Sequence, residues 1–552
     1  MSRSTWSAAA TSGRPRATNG SMSATAHHDT FVRDRLPPRE QLPVFYFDLP
    51  ELRYPQRLNC ASELLDHADA DAIAIRSEAG DWSYATLRAT VDRLCRVLTD
   101  DLSLVPGNRV LLRGVNSPML CAAWLAVVKA GGIVVATMPM LRTRELQTIV
   151  DTAQIGLALC DPELLGDLDA VRCAGSPLQR IVTWGGELEA SMRDKVGSFA
   201  AVATSQDDPC LLAFTSGTTG RPKATIHFHR DVLAMADTFA RYLLRPQPDD
   251  VFAGTPPLAF TFGLGAELVF PLRFGASTAI LRGSKPEQIL DGIARFAVTR
   301  MFTAPTAYRA LLANMGSGAP ATIRTWISAG EHLPKATSDA WLAATGQRIV
   351  DGIGATEMIH IFVSASGASI RPGSTGLPVP GYRVCILDEE YRPVPVHTPG
   401  RLAVRGPTGC RYLADPRQTN YVVGGWNITG DTYTMDDQGY LWYQARTDDM
   451  IVSAGYNIAG PEIEAVLLEH PAVAECAVIG VPDVDRGQVV KAVVVLRDPP
   501  QTTAGLTQAL QAFVKARIAP YKYPRLIEFA RELPRTATGK LQRFKLRGQA
   551  KA

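Results

Sequence analysis

The chain has 552 residues, 46% of them apolar and 20% charged, which is ordinary globular composition and excludes general disorder, a collagen-like fibre and a polytopic membrane protein. Lys and Arg number 57 and Asp and Glu 54, and a net charge of +3 over this length does not mark a nucleic-acid binder. At roughly 100–200 residues per domain the length allows about three to five domain-sized units, with core enough to fold without disulfide or metal staples. Residues 1–28 hold no Asp or Glu, are rich in Ser, Ala, Thr and Arg, and lack an apolar run, so they are not a secretory signal. They read as a disordered extension over 1–30, with Met22 an alternative start, rather than as a transit peptide. From about residue 55 helical and strand patterns alternate: LNCASELLDHADA predicts a helix, AIAIRS a strand, SYATLRATVDRLCRVLTD an amphipathic helix opened by Ser83, and NRVLLRG a strand. The most apolar stretch, 121–140, contains Lys129 and a Gly131-Gly132 break, and so predicts a buried helix, a turn and a core strand rather than a membrane span. This α-then-β order predicts an α/β fold with largely parallel sheets in a large domain over 31–447. Short strands between Pro- and Gly-rich stretches at 371–381 and 393–400 form a β-rich part of it. A small, compact α+β domain follows over 448–552.

Nine cysteines, Cys60, Cys95, Cys121, Cys160, Cys173, Cys210, Cys385, Cys410 and Cys476, include no CxxC pair. Their odd number and scatter predict free thiols in a reducing, cytoplasmic setting. Nine histidines without HExxH or Cys/His spacing give a structural zinc site little support.

Five segments carry chemistry. In LLAFTSGTTGRPKA (211–224) an apolar strand runs into a loop of glycines and hydroxyls followed by Lys223, a composition that lets backbone N–H groups, hydroxyls and a cation converge on an anion. It is not a Walker A loop. In DGIGATEM (351–358) a Gly-rich turn presents Thr356 and Glu357; beside a polyphosphate such a carboxylate would be a Mg²⁺ ligand. In WNITGD (426–431) Asp431 follows a tight Thr-Gly turn and could accept both hydroxyls of a ribose. ARTDDMIVSAGYN (445–457) and RTATGK (535–540), ending in Lys540, complete the set. Each alone is more often a polar turn, a capping acid or a solvated charge.

Taken in this order, FTSGTTGRPKA, GIGATE, TGD, RTDDMI…AGYNI and the final TGK resemble the adenylate-forming superfamily of acyl-CoA synthetases, nonribosomal adenylation domains and firefly-type luciferases, over residues 45–545. PPLAFTFGLG (256–265), DGIGATEMIHIF (351–362), GPTGCRYLADP (406–416) and ARTDDMIVSAGYNIAGPEIE (445–464) look like benzoate and 2-aminobenzoate CoA ligases, and the opening segment 42–66 more like the latter. One departure is Ala224, where the superfamily usually has Gly.

The resemblance implies an ATP- and CoA-dependent aromatic-acid ligase. Thr215, Ser216, Gly217, Thr218, Thr219, Gly220 and Lys223 would hold the ATP phosphates. Ser328, Ala329, Gly330 and Glu331 would line adenine and one wall of the acid pocket, continued by Asp351, Gly352 and Ile353. Thr356 would touch the α-phosphate, Glu357 would ligate Mg²⁺, and Asp431 and Arg446 would bind ribose. Asp448 would be the interdomain hinge, Lys540 the catalytic lysine of adenylation, and Gly455 the border of the pantetheine tunnel. Thr261, Phe262, Gly263, Ala329, Gly330, Ile353, His360 and Ile361 would form the acid pocket, with Phe262 a flat face and His360 and Ile361 its floor. The implied substrate is 2-aminobenzoate or a close benzoate, and the implied protein a monomer or homodimer with no nucleic-acid or membrane partner. Competing readings are a benzoate or hydroxybenzoate ligase, an aryl-acid adenylating enzyme that loads a carrier protein, and an inactive nucleotide-binding protein.

Overall fold

The computed structural model describes residues 24–216, 222–315, 320–446, 449–453, 456–483, 486–497, 505–518, 522–535 and 541–549. The first of its sheets is six-stranded, with Arg109–Arg113, Ile133–Thr137, Leu157–Cys160 and Arg180–Thr183 in parallel array. Pro209–Ser216 joins parallel to Ile133–Thr137, and Pro222–Phe228 returns antiparallel to it, with Ser216 opposite Pro222. The anion-loop segment is therefore flanked by two paired strands. The helices follow their local signals. Ser83 caps Tyr84–Arg96 by accepting the Thr86 N–H. Ser117 caps Pro118–Lys129, whose Pro suits a first turn. Gly131, at φ +78°, then turns the chain into Ile133–Thr137. The helix expected over LNCASELLDHADA is confined to Cys60–Leu65, capped by Asn59. Lys129 is buried and paired with Asp92 at 2.6 Å.

A nine-stranded sheet holds Val251–Gly254, Arg300–Thr303, Thr325–Ser328 and Ile349–Gly354 in parallel, with antiparallel strands Ile361–Ser364 and Leu377–Pro378 along one edge. Side chains of both sheets share one core, in which Val110 and Val134 from the first join Phe252, Phe302, Ile327 and Val350 from the second. Each fully buried Val, Ile or Phe side chain adds about 1.5–3 kcal/mol of transfer free energy. The β-rich part is an antiparallel sheet containing Arg383–Leu387, Gly400–Arg405, Trp426–Met435 and Leu441–Arg446. A separate small sheet, built on Val473–Asp483 and Gly487–Leu496, is packed by helices Gly460–Leu468 and Leu506–Lys515 around its own core. The molecule is thus α/β, with a large N-terminal domain and a smaller C-terminal one.

The extension expected over 1–30 needs correcting at its end. Residues 24–30 are packed: Thr25 Oγ1 and the Ala26 N–H donate to the buried Asp208 carboxylate at 2.6 and 3.0 Å, and Asp29 pairs with Arg109. Asp208 needs donors once it leaves water, and this segment supplies them. Among the described residues no helix is long and apolar enough to cross a membrane.

Candidate active site

Lys223 stands near the start of Pro222–Phe228, and Glu357 in the short 3₁₀ turn Thr356–Met358 that follows Ile349–Gly354. Lys223 Nζ lies 3.1 Å from Glu357 Oε1. Tyr412 joins them: its hydroxyl donates to Glu357 Oε1 at 2.5 Å and accepts from Lys223. Burial alone would raise the Glu357 carboxyl, but the Lys223 charge and the Tyr412 hydroxyl outweigh it and hold the group below the usual carboxylate range. An ionised carboxylate is the hard oxygen donor that Mg²⁺ requires, so these residues fit that ion. Thr356 is half-buried on the same turn. The Thr215 hydroxyl, at the end of the neighbouring strand, is buried without a partner.

Asp431 and Arg446 lie opposite each other on Trp426–Met435 and Leu441–Arg446. The expected Thr-Gly turn is instead an irregularity inside a long strand: Gly430 has φ +77°, and a Cβ there would come within 3.1 Å of Arg446 Nη2. Ser328 and Asp351 are partners across adjacent parallel strands, which brings Ser328, Ala329, Gly330 and Glu331 beside Asp351, Gly352 and Ile353. Asp351 Oδ1 and Ser328 Oγ are buried beside each other, and burial, opposed by Ser328 and the Gly352 N–H, lifts the Asp351 carboxyl to about 7. Glu331 accepts from Thr306 at 2.6 Å and lies 3.5 Å from Arg535, the last described residue ahead of the Lys540 loop.

The expected acid pocket is an aromatic cluster. The His360 ring is 5.6 Å from Phe262, 5.6 Å from Phe239 and edge-on to Phe270 at 4.6 Å, and Phe302 stands edge-on to Phe262 at 5.9 Å. Both His360 nitrogens are buried, and burial pushes its pKa down to about 3 against a weaker opposing effect of the Phe262 backbone, so the ring is neutral. Thr261 is buried and Phe262 half-buried. Gly263 is required by closeness, since a Cβ there would meet Pro257 O at 2.2 Å. Ile361 is 2% exposed and packs beneath Gly352, a core position. Between Glu357 and His360 the backbone at Ile359 has φ +65°, a left-handed conformation that is an outlier for a β-branched residue and costs about 1–3 kcal/mol. Gly217, Thr218, Thr219, Gly220, Asp448, Gly455 and Lys540 lie outside the described residues.

Several residues carried no sequence signal. Tyr412 sits within GPTGCRYLADP without a spacing that singles it out. Asn116 donates to Glu267 Oε2 at 2.6 Å and to Pro256 O, and accepts the Leu258 N–H, bracing the segment that leads to Thr261. Burial pushes Glu267 well above the usual carboxylate range. Cys60, Cys210 and His229 bring donor atoms within 4.8 Å of one another. His229 Nδ1 accepts the Cys60 N–H at 3.1 Å and lies 3.3 Å from Cys60 Sγ, the Cys210 thiol donates to His227 O at 3.7 Å, and His229 Nε2 is buried without a partner.

A family profile described as AMP-binding enzyme matches residues 65–412, and one described as AMP-binding enzyme C-terminal domain matches 462–540. The chain belongs to the AMP-binding enzyme family. Similar members of this family include the benzoate–CoA ligase of Thauera aromatica, 34% identical over 516 residues that make up 90% of this chain and 97% of that one. An anthranilate CoA ligase solved in complex with anthranoyl-AMP superimposes with a TM-score of 0.86 at 32% identity, over 91% of this chain and 99% of that one. A benzoate CoA ligase from Burkholderia xenovorans LB400 does so with a TM-score of 0.82 at 31% identity, over 89% and 100%.

Proposed function

We propose that this AMP-binding enzyme is an AMP-forming aromatic-acid CoA ligase, with 2-aminobenzoate or a close benzoate as its acid. The observation that carries the reading is the turn 357–360, which sets the ionised Glu357 beside Lys223 on one side and the neutral His360 inside a cluster of phenylalanines on the other. A polyphosphate and an aromatic ring would thus meet at adjacent stations of one short segment.

In this reading Thr215 to Lys223 and Thr356 hold the phosphates, Asp431 and Arg446 the ribose, and Ser328 to Glu331 with Asp351 to Ile353 the base. Glu357 would hold Mg²⁺, which supplies positive charge where pyrophosphate negative charge develops. The acid's carboxylate oxygen attacks the α-phosphorus and the bond to pyrophosphate breaks, giving acyl-AMP. Both groups are anionic, so the step needs preorganised cations, a role assigned to Lys223 and Lys540. The CoA thiol sulfur then attacks the acyl carbonyl and AMP leaves with the carboxyl oxygen. The half-reactions need different surroundings, for which we assign the large domain 31–447, the small domain 448–552, a hinge at Asp448 and a thiol path past Gly455. Thr261, assigned to the acid pocket, has a hydroxyl able to bond an ortho amino or hydroxyl group.

The test is AMP release with ATP and CoA over benzoate, 2-aminobenzoate, hydroxybenzoates and short fatty acids. Turnover of substituted benzoates is expected, with a preference of about 10–200-fold among them. Preference for octanoate over every benzoate overturns the pocket assignment, and acyl-AMP formation without thioester formation favours carrier-protein loading.

A further inference from the structure

We propose that Tyr412 is a positioning residue that keeps Lys223 and Glu357 as a self-neutralised pair, so that metal and polyphosphate must load together by exchanging partners with it. The inference rests on the nucleotide-site reading above and goes beyond it. Three polar atoms, Lys223 Nζ, the Tyr412 hydroxyl and Glu357 Oε1, form a closed triangle. The Lys223 ammonium also lies 4.4 Å from the centre of the Tyr412 ring and 5.4 Å from that of Tyr421.

Tyr412 is held in place from several directions. The chain around it runs against the strand that carries Lys223: the Ile226 N–H donates to Arg411 O at 2.7 Å and the Leu413 N–H to Ala224 O at 3.0 Å. Arg411 is tied to Asp231 at 2.7 Å, and the Tyr412 N–H donates to Gln418 Oε1 at 2.9 Å. Tyr412 is 0% exposed. Its hydroxyl is therefore a fixed point, whereas Lys223 has a long, flexible stem.

The consequence is a coincidence requirement. A polyphosphate arriving alone draws Lys223 away and leaves a buried carboxylate facing it. A divalent cation arriving alone must displace an ammonium from Glu357. Arriving together, the anion takes Lys223, the cation takes Glu357, and Tyr412 still donates to the carboxylate. Each ligand then raises the other's affinity by the same factor, typically about 5–150-fold. AMP lacks the terminal phosphates and leaves the pair undisturbed.

The experiment is calorimetry of ATP and AMP binding to the full chain, with Mn²⁺ or with EDTA, alongside Mn²⁺ binding without nucleotide followed by electron paramagnetic resonance. For Tyr412→Phe, which keeps the ring, the resting pair loses two hydrogen bonds and the loaded site one, so the Mn²⁺ concentration that half-saturates ATP binding is expected to fall several-fold, with AMP and benzoate affinities unchanged. For Lys223→Gln, Mn²⁺ alone is expected to bind several-fold more tightly than to wild type, because its competitor for Glu357 is gone. Unchanged or raised metal half-saturation in Tyr412→Phe overturns the proposal, as does an equal loss of AMP and Mn-ATP affinity. If Tyr412→Phe does not fold, Lys223→Gln decides: equal or weaker Mn²⁺ binding overturns the proposal. A wild-type protein that binds neither nucleotide overturns the underlying functional reading instead.

Discussion

Asp431 and Arg446 face each other across neighbouring antiparallel strands, and Arg446 Nη1 reaches Asp431 Oδ1 at 3.0 Å. The arginine side chain is 42% exposed, so the pair does little for stability, about 0–1 kcal/mol. Its geometry holds an acceptor steady for a ligand. Asp431→Asn is expected to leave the unfolding midpoint nearly unchanged while weakening AMP binding by about tenfold or more, the scale of hydrogen bonds to a charged group. Parallel thermal melts and AMP titrations check both halves, and a variant that loses stability and affinity together contradicts the assignment.

His360 is neutral and enclosed by phenylalanines. Its replacement by Ala removes an aromatic-sized side chain from a packed cluster, expected to cost about 3 kcal/mol in urea unfolding. The vacated volume is expected to improve relative kcat/KM for para-substituted or bicyclic acids over benzoate. A selectivity profile matching wild type would mean that His360 packs the core without bounding the pocket.

Asp351 gives the protein a pH signature. Its carboxyl ionises near 7 in the folded chain against an ordinary 3.8, so between those values the folded state retains a proton that the unfolded state has lost. Stability from this group is therefore complete below about pH 4 and declines as pH rises toward 7, by up to about 1.4 kcal/mol per pH unit. Asp351→Asn removes that slope. Chemical unfolding of the nucleotide-free variant and wild type from pH 4.5 to 7.5 compares the two; parallel curves would refute the role given to Asp351.

Glu267 is buried, raised by desolvation and bonded to Asn116. Glu267→Gln keeps the shape and is expected to be near neutral at pH 7. Glu267→Ala leaves a cavity and strands an Asn116 donor, at an expected cost of about 2–4 kcal/mol. Because Asn116 also holds Pro256 and Leu258, Glu267→Ala is expected to raise KM for the acid more than KM for ATP, as steady-state kinetics would show.

Much of this was legible in the chain itself. Ser83 and the Gly131-Gly132 break marked their elements because capping and positive-φ turns depend on neighbouring residues. The order of Lys223, Glu357, Asp431 and Arg446 was visible through motif resemblance. The Tyr412 triangle and the Asn116–Glu267 clamp were not, since their members lie far apart in sequence and meet only when separate sheets pack. Nor was the helix after Asn59 legible at its true length: apolar periodicity continued past Leu65, whereas the chain leaves the helix at Asp66.

In the proposed mechanism Lys540 would serve the first half-reaction by its charge. Lys540→Ala is expected to slow acyl-adenylate formation at least about 10²–10³-fold while sparing thioester formation from supplied acyl-AMP. Separate assays of pyrophosphate exchange and of acyl-AMP consumption read the two steps, and equal losses in both would remove the assignment.

The left-handed backbone at Ile359 has a consequence for how this enzyme could change its diet. Glu357 and His360 lie on either side of one strained residue, buried and wedged against the Thr408 contact to Met358 O. In the proposed site, remodelling the acid pocket through this turn would disturb the Glu357 and His360 sides together. Thr261 and Phe262 sit on a separate short helix without a positive-φ residue, so in the proposed pocket exchanges there leave that strained turn in place even though Phe262 packs 5.6 Å from His360. New acid preferences in descendants of this protein should appear first as exchanges at those two positions, with the 357–360 turn left intact.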